Sequence, residues 1–260
     1  MEAAGLRWLK AAEAAGGPRI VNVLGAQSAS LTLEHIATTA PTASAAEDFG
    51  AALALMHRSV WPAEPAASAG HDDAESLILF GQMPPGHPAG TPALFGPAEQ
   101  LIKLGSGKHH SWGLFHTSER LDPVLEHLQA ETAPADLDLL GAARNRIASG
   151  EFDDVEPPSL IHGDLWSGNV LWSGAGAVLI DPAAHAGHRE SDLALLHLFG
   201  LPHLDRFLVG YQEAVPLADG WKDRVPVHQL FYLAAHWVLF GGAYREATLS
   251  AAEQIISLRT

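Results

Sequence analysis

Asp164, Asn169 and Asp181 have the residue types and the spacing that phosphoryl transfer requires. Four residues separate Asp164 from Asn169, and eleven more separate Asn169 from Asp181. The amide oxygen of Asn169 and the carboxylate of Asp181 suit a hard cation such as Mg2+, which prefers oxygen ligands. The carboxylate of Asp164 can orient a hydroxyl group and accept its proton. This spacing matches the template of kinase-like phosphotransferases.

A short hairpin must position these three residues. The apolar runs "NVLW" and "AVLI" are joined by Ser173-Gly174-Ala175-Gly176, a tight-turn sequence. Asn169 and Asp181 are about equally far from this turn, so we expect both at the open end of the hairpin, with Asp164 in the loop that leads there. Each residue alone is typical of an ordinary turn, and only the complete arrangement predicts a site.

The amino-terminal region combines one helix with two strands. Leu6 and Leu9 have helical spacing, and Gly16-Gly17-Pro18 should end that helix. Residues 20–24 and 30–36 have the pattern of strands. A second helix should begin near Ser44, which forms a capping box with Glu47.

The rest of the chain is mainly helical. Residues 62–107 are rich in Pro, Gly and Ala and predict an ordered loop at best. Further helices are predicted at residues 121–131, 137–147, 190–199, 204–214 and 227–244. Strands near the beginning, one late hairpin and many helices predict an α+β fold with a small β-rich lobe and a larger helical lobe, not a doubly wound sheet.

Composition excludes several classes of function. The net charge of −15, with 15 Lys and Arg against 30 Asp and Glu, excludes nucleic acid as a partner. No cysteine is present, which excludes disulfides and thiolate metal sites. The longest apolar run, residues 230–243, is too short to span a membrane. With no secretion signal at the amino terminus, we expect a soluble cytoplasmic protein.

Four longer segments resemble a known family: "LIHGDLWSGNVL", "LIDPAAHAGHRESDLALLHLFG", "WGLFHTSERLDP" and "LFYLAAHWVLFGGAY". Together they resemble the fructosamine kinase family, or ketosamine-3-kinases, in the aminoglycoside-phosphotransferase-like branch of the protein-kinase fold. The resemblance implies a bilobal kinase-like fold, with residues 1–36 as a partial N-lobe and residues 37–260 as the C-lobe. The "HGDLWSGN" segment distinguishes this family from choline and aminoglycoside kinases.

The resemblance also implies roles for individual residues. Asp164 would be the catalytic base, and Asn169 and Asp181 would hold Mg2+ and ATP. Glu34-His35-Ile36 would be the hinge between the lobes, whose backbone groups bind adenine. Glu2 would be the acid that pairs with a nucleotide-binding lysine.

Further residues would serve the substrate or support the loop. Trp166 would stack on the sugar, because an indole face suits the C–H-rich side of a sugar ring. His162 and Asp192 would support the catalytic loop, the histidine through hydrogen bonds rather than proton transfer. The substrate would be a ketosamine such as fructosyl-lysine or ribulosyl-lysine, free or on a glycated protein, phosphorylated on its 3-hydroxyl group in protein deglycation.

The chain departs from the family pattern at its beginning. The family has a glycine-rich turn and then a strand-borne lysine that bind the phosphates, and neither is found in this sequence. The four lysines, at positions 10, 103, 108 and 222, follow no suitable strand. We therefore expect weakened phosphate binding. Two alternatives remain open: a catalytically impaired nucleotide-binding relic, and a kinase of another small alcohol such as an aminoglycoside or choline.

Several other residues have a structural interpretation from sequence. His57 closes an apolar helix and is expected to pack in the core. Arg120, with Trp112 and Phe115, could line the substrate side, but packing is the simpler interpretation. Glu190 has no role that the sequence indicates.

Overall fold

A computed structural model describes residues 2–27, 30–59 and 78–259. The helices in these residues are α1 Glu2–Lys10, α2 Ala43–Arg58, α3 Trp112–Phe115, α4 Asp122–Leu128, α5 Pro134–Ala148, α6 Arg189–Phe199, α7 Leu204–Ala214, α8 Trp221–Phe240 and α9 Arg245–Ser257. A π-helical turn, His116–Leu121, joins α3 to α4, and 3-10 turns occupy Ala11–Ala15, Ser167–Asn169 and Gly242–Tyr244.

The strands form small sheets rather than one large sheet. Their bounds are β1 Arg19–Ile20, β2 Val23–Gln27, β3 Ser30–Leu33, β4 Ala93–Phe95, β5 Ile102–Leu104, β6 Ser159–Ile161, β7 Val170–Ser173, β8 Gly176–Leu179 and β9 His185–Gly187. Strands β1, β8 and β7 form a sheet in that order, with β1 parallel to β8 and β7 antiparallel to it. The pairs β2–β3, β4–β5 and β6–β9 are antiparallel. The predicted combination of helices with small sheets is confirmed.

The predicted amino-terminal strand is divided in two. The backbone N–H and the side-chain amide of Asn22 both donate to Oε1 of Glu34, each at 2.9 Å, so Asn22 interrupts the strand between β1 and β2. Strand β3 ends at Leu33, three residues earlier than predicted. Helix α1 ends at Lys10, and the 3-10 turn Ala11–Ala15 that follows it ends at Gly16, whose φ of +87° suits glycine at a helix end.

The predicted capping box of α2 is wrong. Thr42, not Ser44, caps this helix, because its hydroxyl oxygen accepts a hydrogen bond from the N–H of Ala45 at 3.2 Å. Glu47 is directed instead toward Arg206 on α7, with which it forms an ion pair.

The region predicted as loop contains the β4–β5 hairpin, so the prediction of a loop over residues 62–107 is wrong in part. Residues 62–77 lie outside the described residues. Helix α8 begins at Trp221, six residues earlier than predicted, and includes Pro226. Among the described residues, no helix combines the length and the apolar character needed to cross a bilayer.

Among the described residues, two apolar cores support the fold. The first joins Leu6 and Ile20 near the amino terminus to Phe49 on α2 and to Val170 on β7. The second lies among the helices of the carboxy-terminal half and includes Phe231 on α8. Because the amino-terminal elements share the first core with the hairpin, they brace the hairpin directly. The division into lobes at residue 36 remains a prediction.

Helices α2 and α7 pack with their backbones almost in contact. A Cβ atom placed on Gly50 would lie 1.9 Å from the carbonyl oxygen of Phe207, and one on Gly210 would lie 2.0 Å from that of Glu47. Real Cβ atoms do not approach a backbone oxygen so closely, so only glycine permits this crossing. The same two helices also meet at His57 of α2, which is hydrogen-bonded to Tyr211 of α7.

The substitution Gly50→Ala should therefore separate the two helices. We expect it to lower the free energy of unfolding by about 2 kcal/mol or more, the range of overpacked cores. The matched control is Gly141→Ala on α5, where an added Cβ atom meets nothing within 4 Å. That change should raise stability by up to about 1 kcal/mol, because alanine favours a helix. Urea unfolding measures both, and equal effects would contradict the close crossing.

Candidate active site

The open end of the β7–β8 hairpin brings Asn169 and Asp181 together, as predicted, but one residue out of register. Val170 pairs with Leu179, and the N–H of Ile180 donates to the carbonyl of Asn169 at 3.1 Å. Asn169 therefore faces Ile180, and Asp181 is the next residue along the chain. Asp181 has a φ of +51°, a left-handed conformation that is uncommon outside glycine and typical of strained functional positions.

The side-chain amide of Asn169 connects the two aspartates. Its Nδ2 donates to the carbonyl oxygen of Asp164 at 2.8 Å, to the carboxylate of Asp164 at 3.2 Å and to the carbonyl oxygen of Asp181 at 3.5 Å. The amide nitrogen makes all three of these hydrogen bonds. They therefore orient the amide so that its oxygen points away from them, as a cation ligand would require.

The environment of Asp164 suits a proton acceptor. Burial raises the pKa of Asp164 to about 6, the hydrogen bond from Asn169 opposes this shift, and the negative charges of Asp192 and Asp181 reinforce it. A carboxylate with this pKa is mostly ionised at neutral pH, yet it accepts a proton more readily than an exposed aspartate. Its location in a partly buried loop therefore fits general-base chemistry.

Glu2, the first residue of α1, faces Asp181. Burial raises the pKa of Glu2 to about 7, with further contributions from a hydrogen bond to Asp181 and from the charge of that aspartate. Two carboxyl groups this close repel each other unless a proton or a cation lies between them. The donor set of Glu2, Asp181 and Asn169 is made of oxygen ligands, which fits Mg2+.

The loop before Asp164 is held by one buried carboxylate. Asp192 on α6 accepts the N–H of His162 at 2.7 Å and that of Gly163 at 2.8 Å. His57 donates its Nε2–H to Asp192 at 3.1 Å, and its Nδ1 is hydrogen-bonded to the hydroxyl of Tyr211 at 2.7 Å. Burial favours the protonated form of Asp192, but the hydrogen bond and charge of His57, followed by the other polar neighbours, lower its pKa overall.

The ring of His162 positions the same loop. Its Nδ1 accepts the N–H of Asp164 at 3.3 Å, and its Nε2–H donates to the carbonyl of Ile180 at 2.8 Å. Burial lowers the pKa of His162, so the ring is neutral in this role. The ring thus links the Asp164 loop to the strand that ends at Asp181.

Tyr232 is a supporting residue that the sequence reasoning missed. Its hydroxyl donates to the carbonyl of Gly163 at 2.9 Å. Gly163 itself has a φ of +79°, and a Cβ atom there would lie 2.4 Å from the carbonyl oxygen of Ala183. The available signal was a tyrosine in an otherwise apolar helix, because a buried hydroxyl requires a polar partner.

Trp166 presents its indole beside Asp164. The side chain is 40% exposed, and its ring contacts Phe199 edge-on with the centroids 6.3 Å apart. Gly168 lies beneath the ring, where an added Cβ atom would come within 2.3 Å of Cη2. The Trp-Ser-Gly sequence therefore lets the indole fold back over its own loop and keep one face exposed.

Five of the predicted site residues line one cavity of about 930 Å3. Glu2, Asp164, Trp166, Asn169 and Asp181 all line it. His162 and Asp192 support it from beneath, as their hydrogen bonds show. The carboxylates, the amide and the indole that the sequence indicated therefore share one cleft.

The predicted hinge residues do not line this cavity. The carboxylate of Glu34 accepts hydrogen bonds from Asn22 and from Arg19. The backbone N–H of Glu34 donates to the carbonyl oxygen of Asn22. His35 is exposed and Ile36 is buried. A role in adenine binding would rest on the backbone groups of residues 34–36 other than the N–H of Glu34, and it remains a prediction.

A second polar cluster lies outside the cavity. In the described part of the chain, ligand atoms of His188, Glu190 and His228 lie within 4.8 Å of one another. Arg224 donates to both carboxylate oxygens of Glu190. Burial raises the pKa of Glu190, but the hydrogen bonds of His228 and Arg224 outweigh this and lower it to about 2. The guanidinium of Arg224 supplies the positive charge that a metal ion would bring to this cluster. The cluster is therefore an ion-pair network, and Glu190 has a structural role.

Replacing Asp192 tests the support of the Asp164 loop. Asp192→Asn removes the charge that two backbone N–H groups and His57 require, so we expect a loss of about 3 kcal/mol in the free energy of unfolding at pH 7. Asp138→Asn on α5, an exposed carboxylate, is the matched control and should have little effect.

The same variant has a defined pH dependence. Because folding lowers the pKa of Asp192, its contribution is complete above the unfolded-state pKa of about 4 and is lost as the pH falls through the lower folded-state value. The difference between wild type and variant should therefore shrink only below about pH 4. A difference that stays constant down to pH 2 would contradict this assignment.

Solved structures establish the fold family. A candidate fructosamine-3-kinase from Thermobifida fusca superposes with a TM-score of 0.80 and 37% identity, over 99% of this chain and 79% of that one. A thermostable mutant of an aminoglycoside phosphotransferase superposes with a TM-score of 0.53 and 16% identity, over 97% of this chain and 83% of that one. The second likeness shows the fold alone. The predicted protein-kinase-like fold is confirmed.

Sequence relatives agree with this result. A probable ketoamine kinase from Lactiplantibacillus plantarum is 42% identical over 142 residues, which cover 52% of this chain and 49% of that protein. The chain spans about half the length of the curated relatives it matches. The fructosamine kinase family model matches residues 104–258, which include the Asp164 loop, the hairpin and α5–α9. This chain therefore belongs to the fructosamine kinase family.

Proposed function

We propose that this chain is a kinase that uses Mg2+ and ATP to phosphorylate a sugar hydroxyl group of a ketosamine. The observation that carries the proposal is the shared cavity, in which a proton acceptor, Asp164, lies beside the oxygen ligands Asn169 and Asp181 and the exposed indole of Trp166. Family membership supports the same reaction class.

The reaction requires one proton acceptor and in-line attack. As the sugar oxygen bonds to the γ-phosphorus of ATP and the bond to ADP breaks, the hydroxyl proton passes to the carboxylate of Asp164. Bound Mg2+ would neutralise charge on the phosphate oxygens, and Asn169 and Asp181 are the residues that would hold it. Glu2 lies close enough to Asp181 to respond to that charge. The backbone of Glu34-His35-Ile36 would bind adenine.

The proposed substrate is a sugar joined to an amine, such as fructosyl-lysine or ribulosyl-lysine. Trp166 would cover the apolar face of the sugar, which leaves the 3-hydroxyl group free to approach Asp164. Phosphorylation at that position would make the adduct labile and begin deglycation. Since ATP is the phosphoryl donor of the cell interior, we also propose a cytoplasmic location.

Mass spectrometry tests the activity directly. The protein, expressed from its complete reading frame, is incubated with Mg2+, ATP and fructosyl-lysine or ribulosyl-lysine. We expect one phosphoryl group on the sugar, and a rate about 100 to 10,000 times lower for Asp164→Asn, the range of general-base catalysis.

The choice of acceptor also separates the alternatives. A panel with an aminoglycoside and choline should give little or no product. Phosphorylation of these alcohols, with none on any ketosamine, would contradict the proposal. A rate on ketosamines that does not change in Asp164→Asn would contradict the assigned base.

Gly168→Ala tests the role of the indole. Because a Cβ atom at position 168 would collide with the ring of Trp166, the substitution should displace the indole and raise the KM for the ketosamine about tenfold. The effect on kcat should be smaller, since Asp164 is not touched.

Gly174→Ala is the matched control for this change. Gly174 lies in the hairpin turn, where an added Cβ atom meets nothing within 4 Å. Its kinetic constants should equal those of the wild type. A Gly168→Ala enzyme with an unchanged KM would show that the indole does not contact the sugar.

A further inference from the structure

Arg120 is a buried cation in the wall of the same cavity. It belongs to the π-helical turn His116–Leu121, is 4% exposed, and lines the cavity that holds Asp164. Its guanidinium lies over the ring of Phe115, 4.7 Å from the centroid. Its two hydrogen bonds, to the carbonyls of Gly105 at 2.9 Å and Glu119 at 3.0 Å, are both made by Nη1.

No carboxylate in the described part of the chain lies within ion-pair distance of this guanidinium. The nearest acid in sequence, Glu119, accepts hydrogen bonds from the N–H of Gly107 at 2.9 Å and from His109 at 2.8 Å. Burial lowers the pKa of Arg120 to about 10, so the group remains charged at neutral pH. The charge of Glu119 acts on Arg120 through space but makes no ion pair with it, so an anionic ligand in contact with the guanidinium would lower the cost of burying this charge.

The surroundings would strengthen binding of an anion. Leu104, Phe95 and Phe231 line the same cavity and give it an apolar wall. His185 also lines it, but burial lowers the pKa of His185 to about 3, so the ring carries no charge near pH 7. Charged hydrogen bonds gain strength where the local dielectric constant is low, as beside an apolar wall.

The cavity lining therefore contains charges of both signs. The acidic residues are Glu2, Asp164 and Asp181, which the proposed function assigns to phosphate chemistry. Arg120 supplies positive charge in the same lining. A ligand that places a sugar hydroxyl near Asp164 and a carboxylate near Arg120 matches the charges of both residues.

We propose that Arg120 binds the carboxylate of a glycated free amino acid, so that small ketosamines with a free carboxylate are preferred over those without one. This inference rests on the proposed function. A glycated lysine within a protein has its carboxyl group in a peptide bond and cannot make this contact. The bidentate geometry of guanidinium and carboxylate suits such recognition.

Binding of two matched compounds tests the inference. The fructosyl derivatives of glycine and of glycinamide differ only in carboxylate against carboxamide. By titration calorimetry, the wild type should bind the glycine derivative about 10 to 100 times more tightly, the range of charged hydrogen bonds. In Arg120→Gln this ratio should fall close to one, with little change for the carboxamide. Arg58→Gln at the exposed end of α2 is the control and should keep the wild-type ratio.

Each outcome decides between the claims. Equal affinity of the wild type for both compounds overturns the role of Arg120 and leaves the proposed function standing. If the wild type binds neither compound, the result contradicts both the role of Arg120 and the proposed function. If circular dichroism shows that Arg120→Gln does not fold, the ratio of the two affinities in the wild type decides whether the carboxylate is recognised. Arg120→Lys keeps the charge but loses the bidentate geometry, and it should show an intermediate affinity ratio. An unchanged ratio in a folded Arg120→Gln would show that the arginine only packs.

Discussion

The hydrogen bonds of one amide nitrogen hold the candidate site together. Nδ2 of Asn169 donates to the backbone and the carboxylate of Asp164 and to the backbone of Asp181. These contacts place a proton acceptor beside a cation ligand without any bond between the two aspartates themselves. Three features hold this amide in place: the hairpin turn, the parallel contact between β1 and β8, and the first apolar core.

A second line of polar contacts supports the site from below. Tyr211 on α7, His57 on α2 and Asp192 on α6 form a buried relay of hydrogen bonds that ends on the N–H groups of His162 and Gly163. The relay needs α2 and α7 to approach closely, which glycines at their crossing allow. Asp192 thus accepts hydrogen bonds from three donors and fixes the loop of Asp164. The negative charge of Asp192 also helps to raise the pKa of Asp164.

Local patterns predicted the parts of the site that are close in sequence. The turn at Ser173–Gly176 was sufficient to place Asn169 and Asp181 at one end of a hairpin. The contact of Glu2 with Asp181 and the bond from Tyr232 to Gly163 depend on packing between distant segments, and no local pattern contains them. Thr42 and Ser44 are both good helix caps by residue type. Only the path of the backbone shows that Thr42 caps α2. Arg120 could not be separated from packing residues until the structure placed it in the cavity wall without an ion pair.

Binding of Mn2+ in the presence of ATP, followed by electron paramagnetic resonance, tests the central claim most directly. Mn2+ takes the same oxygen ligands as Mg2+. If Asn169 and Asp181 form the cation site beside a separate proton acceptor, Asp181→Asn should weaken nucleotide-dependent Mn2+ binding at least about tenfold, because it removes a charged ligand. Asp164→Asn should leave that binding nearly unchanged. Equal losses in both variants, or none in Asp181→Asn, would contradict the account.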